Sequence, residues 1–558
     1  MRSTEDTKEK AVGTRENSAG TREEGSVKSE KMEKPEKEGG SGSGGGKTGR
    51  RKKYIPRILG VLIILAVFLG MNYVAVLCFD KPRNGDYYNS DIKRLQDENA
   101  KIGMIIMGSS QVYHGCNPDL IAQEMGTGEV INCASAASHS DGMYYMLKDL
   151  LQRFTPECVV IDLSWQKFFD KNVAELSLGK NLSADRMSWP NKLDYAVHCF
   201  SADEWLNLLC PIYRYGSSVW GTSQLRKNYR ARKELMEGRW EHKPNRGYQK
   251  NGFFWSNRYC PQGSIPTQWA LYSDDLISDY EYSYVRKMWE LCHEKGIPVV
   301  WITMPTSIGE LYGIENYQGS ADFMKAFAEE LGCQYLNFSL MKNREEILPD
   351  PMYSDTIHLN GKGSVVFAPC FARALKMALN GEDTSGLFYE NFEEMKKDVH
   401  RIVACNGRVN PNGDGTLTAE AVSFQSEGIT PEYRLVLIDK AVVVAQEKAE
   451  MNEEDDDGSA DAGAADTGAA ADGTADDGAA DAGTADAGAA ADGAGSVTEA
   501  SESLPEVRGW QEETIFTINE SEIPKGKVLR LEVRQKGKEE IDAYQNGLES
   551  EFRQRRND

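Results

Sequence analysis

Three residues carry the chemistry available to this chain. Ser110 stands in Met107-Gly108-Ser109-Ser110-Gln111, directly after the apolar run Ile102 to Met107. Asp355 and His358 stand far downstream, in Ser354-Asp355-Thr356-Ile357-His358-Leu359-Asn360. An apolar strand ending in a small-residue turn lifts a hydroxyl to the carboxyl edge of a parallel sheet, where α/β proteins place their sites. A serine becomes a nucleophile when a base takes its proton and a carboxylate orients and charge-stabilises that base. Asp-x-x-His supplies both groups. The pattern predicts a serine-dependent acyl enzyme with Ser110, Asp355 and His358 as its catalytic residues.

The elements around these residues must bring them together. Ile102–Met107, Glu129–Cys133, Cys158–Leu163, Pro298–Met304 and Gln334–Asn337 read as short buried strands. Pro118–Gly126, Met143–Phe154, Asp279–Lys295, Ser320–Leu331 and Lys362–Leu379 read as helices. This alternation predicts a three-layer α/β fold, a parallel sheet covered on both faces. Residues 167–278 are too long for a simple connection and hold Trp189, Trp205, Trp220, Trp240, Trp255 and Trp269. They are expected to form a helical cap beside the active edge, its tryptophans packing the cap's own core or stacking on sugar rings. Beyond Gly381, Thr416–Phe424, Tyr433–Val444, Glu513–Ile518 and Lys527–Val533 read as strands of a small β-sandwich. Asn410 to Gly415 has a superficial likeness to a calcium loop, but its twelfth position is Ala421, and a hairpin turn is expected.

Composition along the 558 residues is uneven. Residues 1–53 are Lys, Glu, Gly and Ser with little to bury, and read as a disordered tail. Ile58 to Phe79 is uncharged and about 33 Å long as a helix, enough for the ~30 Å core of a bilayer. Arg50, Arg51, Lys52, Lys53 and Arg57 precede it, which predicts a single-pass transmembrane helix with a cytoplasmic N-terminus and everything after Asp80 outside. The net charge of −22 owes much to residues 449–507, an Ala-Asp-Gly-Thr tract without Lys or Arg that reads as a solvated insert. The remainder has no basic face, so nucleic acid is not an expected partner. Eleven cysteines show no metal-ligand spacing, and neither a metal nor an organic cofactor is implied.

Across residues 100–380 the chain resembles the SGNH/GDSL hydrolase superfamily, whose sheet is flavodoxin-like. Gly108-Ser109-Ser110 matches the first block, Gly-Asp-Ser, with Ser110 at the nucleophile. Asn132-Cys133-Ala134-Ser135-Ala136-Ala137 matches the second, with Ala137 in place of glycine; Gln166 stands where the third block has Asn; Asp355 and His358 match the last block unchanged. The resemblance implies an oxyanion hole from the backbone N–H groups of Ser110 and Ala137 and the side chain of Gln166. Gly108, Ser109, Asn132 and His139 would support or line the pocket, and His114 would be a surface or substrate contact. The departures resemble membrane-anchored D-alanyl transfer proteins of teichoic-acid modification and related polysaccharide O-acyl transfer proteins. Those work beside a membrane-bound O-acyltransferase.

The expected layout is a tail (1–53), a membrane helix (54–79), an SGNH-like domain (80–382) and a β-rich domain (383–558). The expected activity is an O-acyl esterase or acyltransferase working outside the plasma membrane on a cell-envelope polysaccharide or teichoic-acid-like polymer through an acyl-serine. The alternative is a non-catalytic scaffold or glycan-binding partner of a membrane O-acyltransferase. Ala137 and Gln166 are the residues that favour it.

Overall fold

The structure, a computed structural model, describes residues 59–68, 82–163, 173–201, 222–241, 243–260, 278–444 and 505–548, with a few single positions between them. The chain forms two compact units, residues 1–68 and 69–558. In the first, residues 59–68 are helical and expose Leu62, Ile64 and Phe68. No helix among the described residues is long and apolar enough to cross a membrane. The expected span Ile58–Phe79 falls partly outside them, and the tail 1–53 and most of the acidic insert lie outside.

The second unit begins with α1 (Asn84–Asp97) and a βα series: β1 (Ile102–Met107), α2 (Ser110–Gly115), α3 (Pro118–Met125), β2 (Glu129–Asn132), α4 (Ser140–Leu151) and β3 (Cys158–Asp162). The cap supplies α5 (Val173–Ala184), α6 (Trp189–Cys199) and α7 (Thr222–Met236), and also a short pair of strands, Gly247–Tyr248 with Phe254–Trp255. It is therefore not purely helical. The series resumes with α8 (Asp279–His293), β4 (Val299–Thr303), α9 (Ile308–Gly313), α10 (Tyr317–Glu330), β5 (Gln334–Asn337) and α11 (Gly361–Leu379), then α12 (Phe392–Asp398).

The five strands form one parallel sheet in the order β2-β1-β3-β4-β5. All six residues of β1 are buried because both faces are covered. Ile105 and Met107 join one core with α1, α4, α8 and α10; Met104 and Ile106 join another with α3 and α11. Each such side chain contributes about 1.5–3 kcal/mol by leaving water. Caps set the helix limits: the Asn117 side chain accepts the Leu120 N–H ahead of α3, and Gly126 ends it at φ +65°. Strand order reverses on either side of β1, so the crevice of this topology opens at the carboxyl end of β1, where Ser110 stands.

The C-terminal part adds β6 (Ile402–Pro411), β7 (Thr416–Gln425), β8 (Pro431–Asp439), β9 (Glu506–Gln511), β10 (Ile515–Asn519), β11 (Lys527–Gln535) and β12 (Ala543–Asn546). Sheets β6-β7-β10 and β9-β8-β11-β12 enclose Cys405, Tyr433, Leu435, Ile518 and Leu531. This is a sandwich, and it is docked: Val403, Ala404 and Phe424 pack with Ile308, Leu311 and Phe392. The expected strand Tyr433–Val444 stops at Asp439, because its neighbour begins at Lys527 directly opposite; residues 440–444 turn helical. Asn410 to Gly415 forms the β6–β7 hairpin, where Asp414 Oδ1 accepts the Thr416 N–H at 3.0 Å.

Paired antiparallel strands β8 and β9 are joined through the acidic insert. Closure entropy grows with the logarithm of loop length. Replacing residues 445–504 by a short Gly-Ser turn should therefore raise stability by about 1–2 kcal/mol in denaturant titration. A fall would mean that the insert itself contributes contacts.

Candidate active site

Beyond β1, Gly108 and Ser109 turn the chain so that Ser110 opens α2. Gly108 is required by close approach: a Cβ there would lie 2.3 Å from Val112 Cγ2 and 3.2 Å from Asp162 Cβ. Ser110 Oγ lies 2.7 Å from His358 Nε2, and His358 Nδ1 lies 2.7 Å from Asp355 Oδ2. The three side chains singled out in the sequence meet in one hydrogen-bonded line.

A tight hairpin makes this possible. Tyr353 and Leu359 form an antiparallel bridge, and the Ser354 N–H donates to the His358 carbonyl at 2.8 Å. Asp355 Oδ1 accepts the N–H groups of Ile357 and His358, each at 2.8 Å. One carboxylate oxygen therefore builds the turn while the other orients the imidazole. The Asp355 side chain is 53% exposed against 17% for His358. Solvent screens so open a charge, and its main contribution is the ring's tautomer and orientation.

The hairpin is held from three directions. Gln111 Nε2 donates to the Ile357 carbonyl at 3.1 Å, the Ser307 N–H to Thr356 at 2.8 Å, and the Cys260 N–H to Tyr353 at 2.6 Å. Asn360, buried, accepts the Gly363 N–H as the cap of α11 and donates to the carbonyls of Pro351 and Arg258. Gln111 and Asn360 escape the sequence reading. Asn-Gly just before an apolar helix was the available signal for Asn360; nothing in the pattern marks Gln111.

Asn132 ties the next loop to α2, the helix that Ser110 opens. Its Nδ2 donates to the carbonyls of Val112 (2.8 Å) and Cys116 (2.9 Å), and its Oδ1 accepts the Ala134 N–H. Ser109, which precedes Ser110, is buried. Ala137 adopts φ +50°, and its N–H makes no hydrogen bond among the described residues. Gly179 of α5 passes so near that a Cβ there would sit 1.8 Å from the Ala137 carbonyl oxygen. His139 is engaged within the fold: its Nδ1 lies 3.1 Å from Glu281 Oε1, and Glu281 Oε2 accepts the Ser140 N–H at 2.9 Å. Burial alone would raise the Glu281 carboxyl; His139 and Ser140 outweigh it and hold it below its ordinary range. Gln166 lies outside the described residues.

His114 packs edge-on against His358, with ring centroids 5.5 Å apart, and against Phe254 of the cap at 5.2 Å. Its Nδ1 is buried, while the residue as a whole is partly exposed. Burial, then the neighbouring His358, lower its pKa to about 3. His358 can therefore gain a proton without facing a second cation. The cap's tryptophans divide: Trp240 packs on Tyr87 (4.5 Å), Trp255 lies against Gly361, and Trp189 is exposed. Among the described residues no group of three His, Cys, Asp or Glu is placed to hold a metal ion. A cavity of about 240 Å³ among Lys101, Gly103, Thr127 and Glu157 lies at the amino edge of the sheet, opposite Ser110.

No protein-family model and no curated protein matches the chain. Among solved structures, it is similar to a GDSL-like lipase from Bacteroides thetaiotaomicron, at 12% identity and a TM-score of 0.25, over 52% of this chain and 99% of that one. A score that low gives the likeness no weight, and the site is read from its own atoms.

Two outcomes follow from this geometry. A left-handed conformation costs a residue with a Cβ about 1–2 kcal/mol, so Ala137→Gly should stabilise the protein by about 1 kcal/mol in thermal or urea unfolding. His114 is neutral when folded down to about pH 3 but titrates near 6.5 when unfolded. The unfolded chain then binds the extra proton, and stability falls as pH drops from 6.5 toward 3, by about 1.4 kcal/mol per pH unit. His114→Phe should remove that part of the slope in urea titrations across this range.

Proposed function

We propose that the protein is a membrane-anchored, exterior-facing serine acyl enzyme, an O-acyl esterase or acyltransferase acting on a cell-envelope polysaccharide or teichoic-acid-like polymer. The line Ser110 Oγ, His358 Nε2, His358 Nδ1, Asp355 Oδ2, with 2.7 Å at each of its two hydrogen bonds, is the observation that carries this reading. The anchor is supported by the uncharged run Ile58–Phe79 behind its basic flank, and by the apolar side chains exposed along residues 59–68.

The chemistry follows from the line. Ser110 Oγ attacks the carbonyl carbon of an ester or thioester while His358 Nε2 takes the hydroxyl proton and Asp355 steadies the imidazolium. The oxyanion faces N–H groups at Ser110 and Ala137, donors with no other use among the described residues. Collapse breaks the bond to the leaving alcohol or thiol, which receives the proton from His358. Water or a polymer hydroxyl then attacks acyl-Ser110, giving its proton to His358; the bond between the acyl carbon and Ser110 Oγ breaks, and His358 returns the proton to Oγ. The acceptor decides between esterase and transferase, and a membrane-bound O-acyltransferase is the partner that would deliver or receive the acyl group.

Labelling of the full-length protein with a fluorophosphonate probe tests the reading. Wild type should react and Ser110→Ala should not. His358→Ala should slow labelling by about a hundredfold or more. Asp355→Ala should slow it as well, since the turn loses the acceptor of two of its N–H groups and the imidazole loses the oxygen that orients it. An unreactive wild type overturns the enzymatic reading and leaves the scaffold.

A further inference from the structure

The turn between α5 and α6, and the helix α7, meet the first turns of α1. Asp185, directly after α5, lies so near Gly85 that a Cβ there would be 3.1 Å from Asp185 Cβ, and its carbonyl accepts Asn89 Nδ2 at 2.7 Å. On α7, Arg232 pairs with Asp86 at 3.3 Å. Both α6 and α7 present side chains that the fold leaves in water. On α6, Trp189, Leu193 and Val197 are 60%, 47% and 58% exposed, and their spacing of four residues makes them one stripe. On α7, Tyr229 and Met236 are exposed together with Arg226, Lys227, Arg230 and Lys233.

Neither feature fits an ordinary solvated surface. Exposed apolar residues are normally scattered singly, and α6 lines up three. The sequence of α7, TSQLRKNYRARKELM, carries Lys and Arg at five positions against a single Glu, in a chain whose net charge is −22. An apolar stripe with a tryptophan on one helix and a basic face on another together have the chemistry of a headgroup boundary, where rings and alkyl groups enter the acyl edge and cations meet phosphates. The covalent path points the same way. α1 begins at Asn84, five positions after Phe79 ends the expected membrane run, a reach of at most about 18 Å.

We infer that α6 and α7 rest on an anionic phospholipid surface, with Trp189, Leu193 and Val197 at the headgroup–acyl boundary and Arg226, Lys227, Arg230 and Lys233 on lipid phosphates. The inference rests on the anchored reading. A single tether leaves a domain free to swing; a second contact limits the heights and angles at which Ser110 meets a substrate.

The test uses the full-length protein in vesicles of acyl-brominated phosphatidylcholine mixed with phosphatidylglycerol. Resistance to alkaline carbonate extraction reports the anchor. Bromolipid quenching of tryptophan fluorescence, compared between wild type and Trp189→Phe, reports the docking. The expected result is a carbonate-resistant protein with a quenched component that Trp189→Phe removes. That component should fall at least about twofold when phosphatidylglycerol is omitted or Arg226, Lys227 and Arg230 are replaced by Glu. Extraction by carbonate overturns the anchor itself. A resistant protein whose quenching is the same with and without Trp189 overturns the docking alone; this is also the result if a second copy or another part of the chain covers the stripe. If Trp189 is quenched only after a multi-spanning acyltransferase is added, the surface belongs to that protein and the lipid proposal fails.

Discussion

The site depends on the tie between the turn after β1 and the Asp355–His358 hairpin, where the Ile357 carbonyl accepts from Gln111 beside the bond between Ser110 and His358. Gln111 and Ile357 stand 246 residues apart in the chain. A hydroxyl–imidazole bond alone would not hold a surface hairpin in register, because a typical hydrogen bond contributes only about 0.5–1.5 kcal/mol net. Gln111, Ser307 and Cys260 share the load from three different elements. Only then is the imidazole's direction fixed by the fold instead of by its bond to Ser110 alone.

The division of work within Asp355 follows the same logic. A buried carboxylate would stabilise a charged imidazole strongly but at a large desolvation cost. Asp355 stays half-open to water and spends one oxygen on two backbone N–H groups of its own turn. Its neighbour His114 makes the complementary contribution, an aromatic wall beside His358 that stays uncharged. The site is ordered chiefly by geometry, with modest electrostatics.

The central sheet was legible because β1 and β3 are buried throughout and read as apolar runs; β1 has the expected bounds to the residue, and so does the more polar edge strand β5. The β-sandwich was legible only in part. β6 contains Asn406, Gly407 and Asn410, and β12 is four residues long, so neither carries a strand's usual composition. In the site, Ser110, Asp355 and His358 were marked by local pattern. Gln111, His114 and Phe254 act through partners far away in the chain, which no window along the sequence can contain. Ala137 sits between: the substitution was visible, whereas its left-handed backbone was not.

α9 joins two parts of the molecule that are usually considered apart. Its cap, Ser307, holds Thr356 in the hairpin, and its next turn, Ile308 to Leu311, is the floor on which Val403, Ala404 and Phe424 of the sandwich sit. The C-terminal module is thus mechanically in series with the hairpin that carries His358. A force on the sandwich would load the same six-residue strut whose cap holds Thr356, two positions before His358.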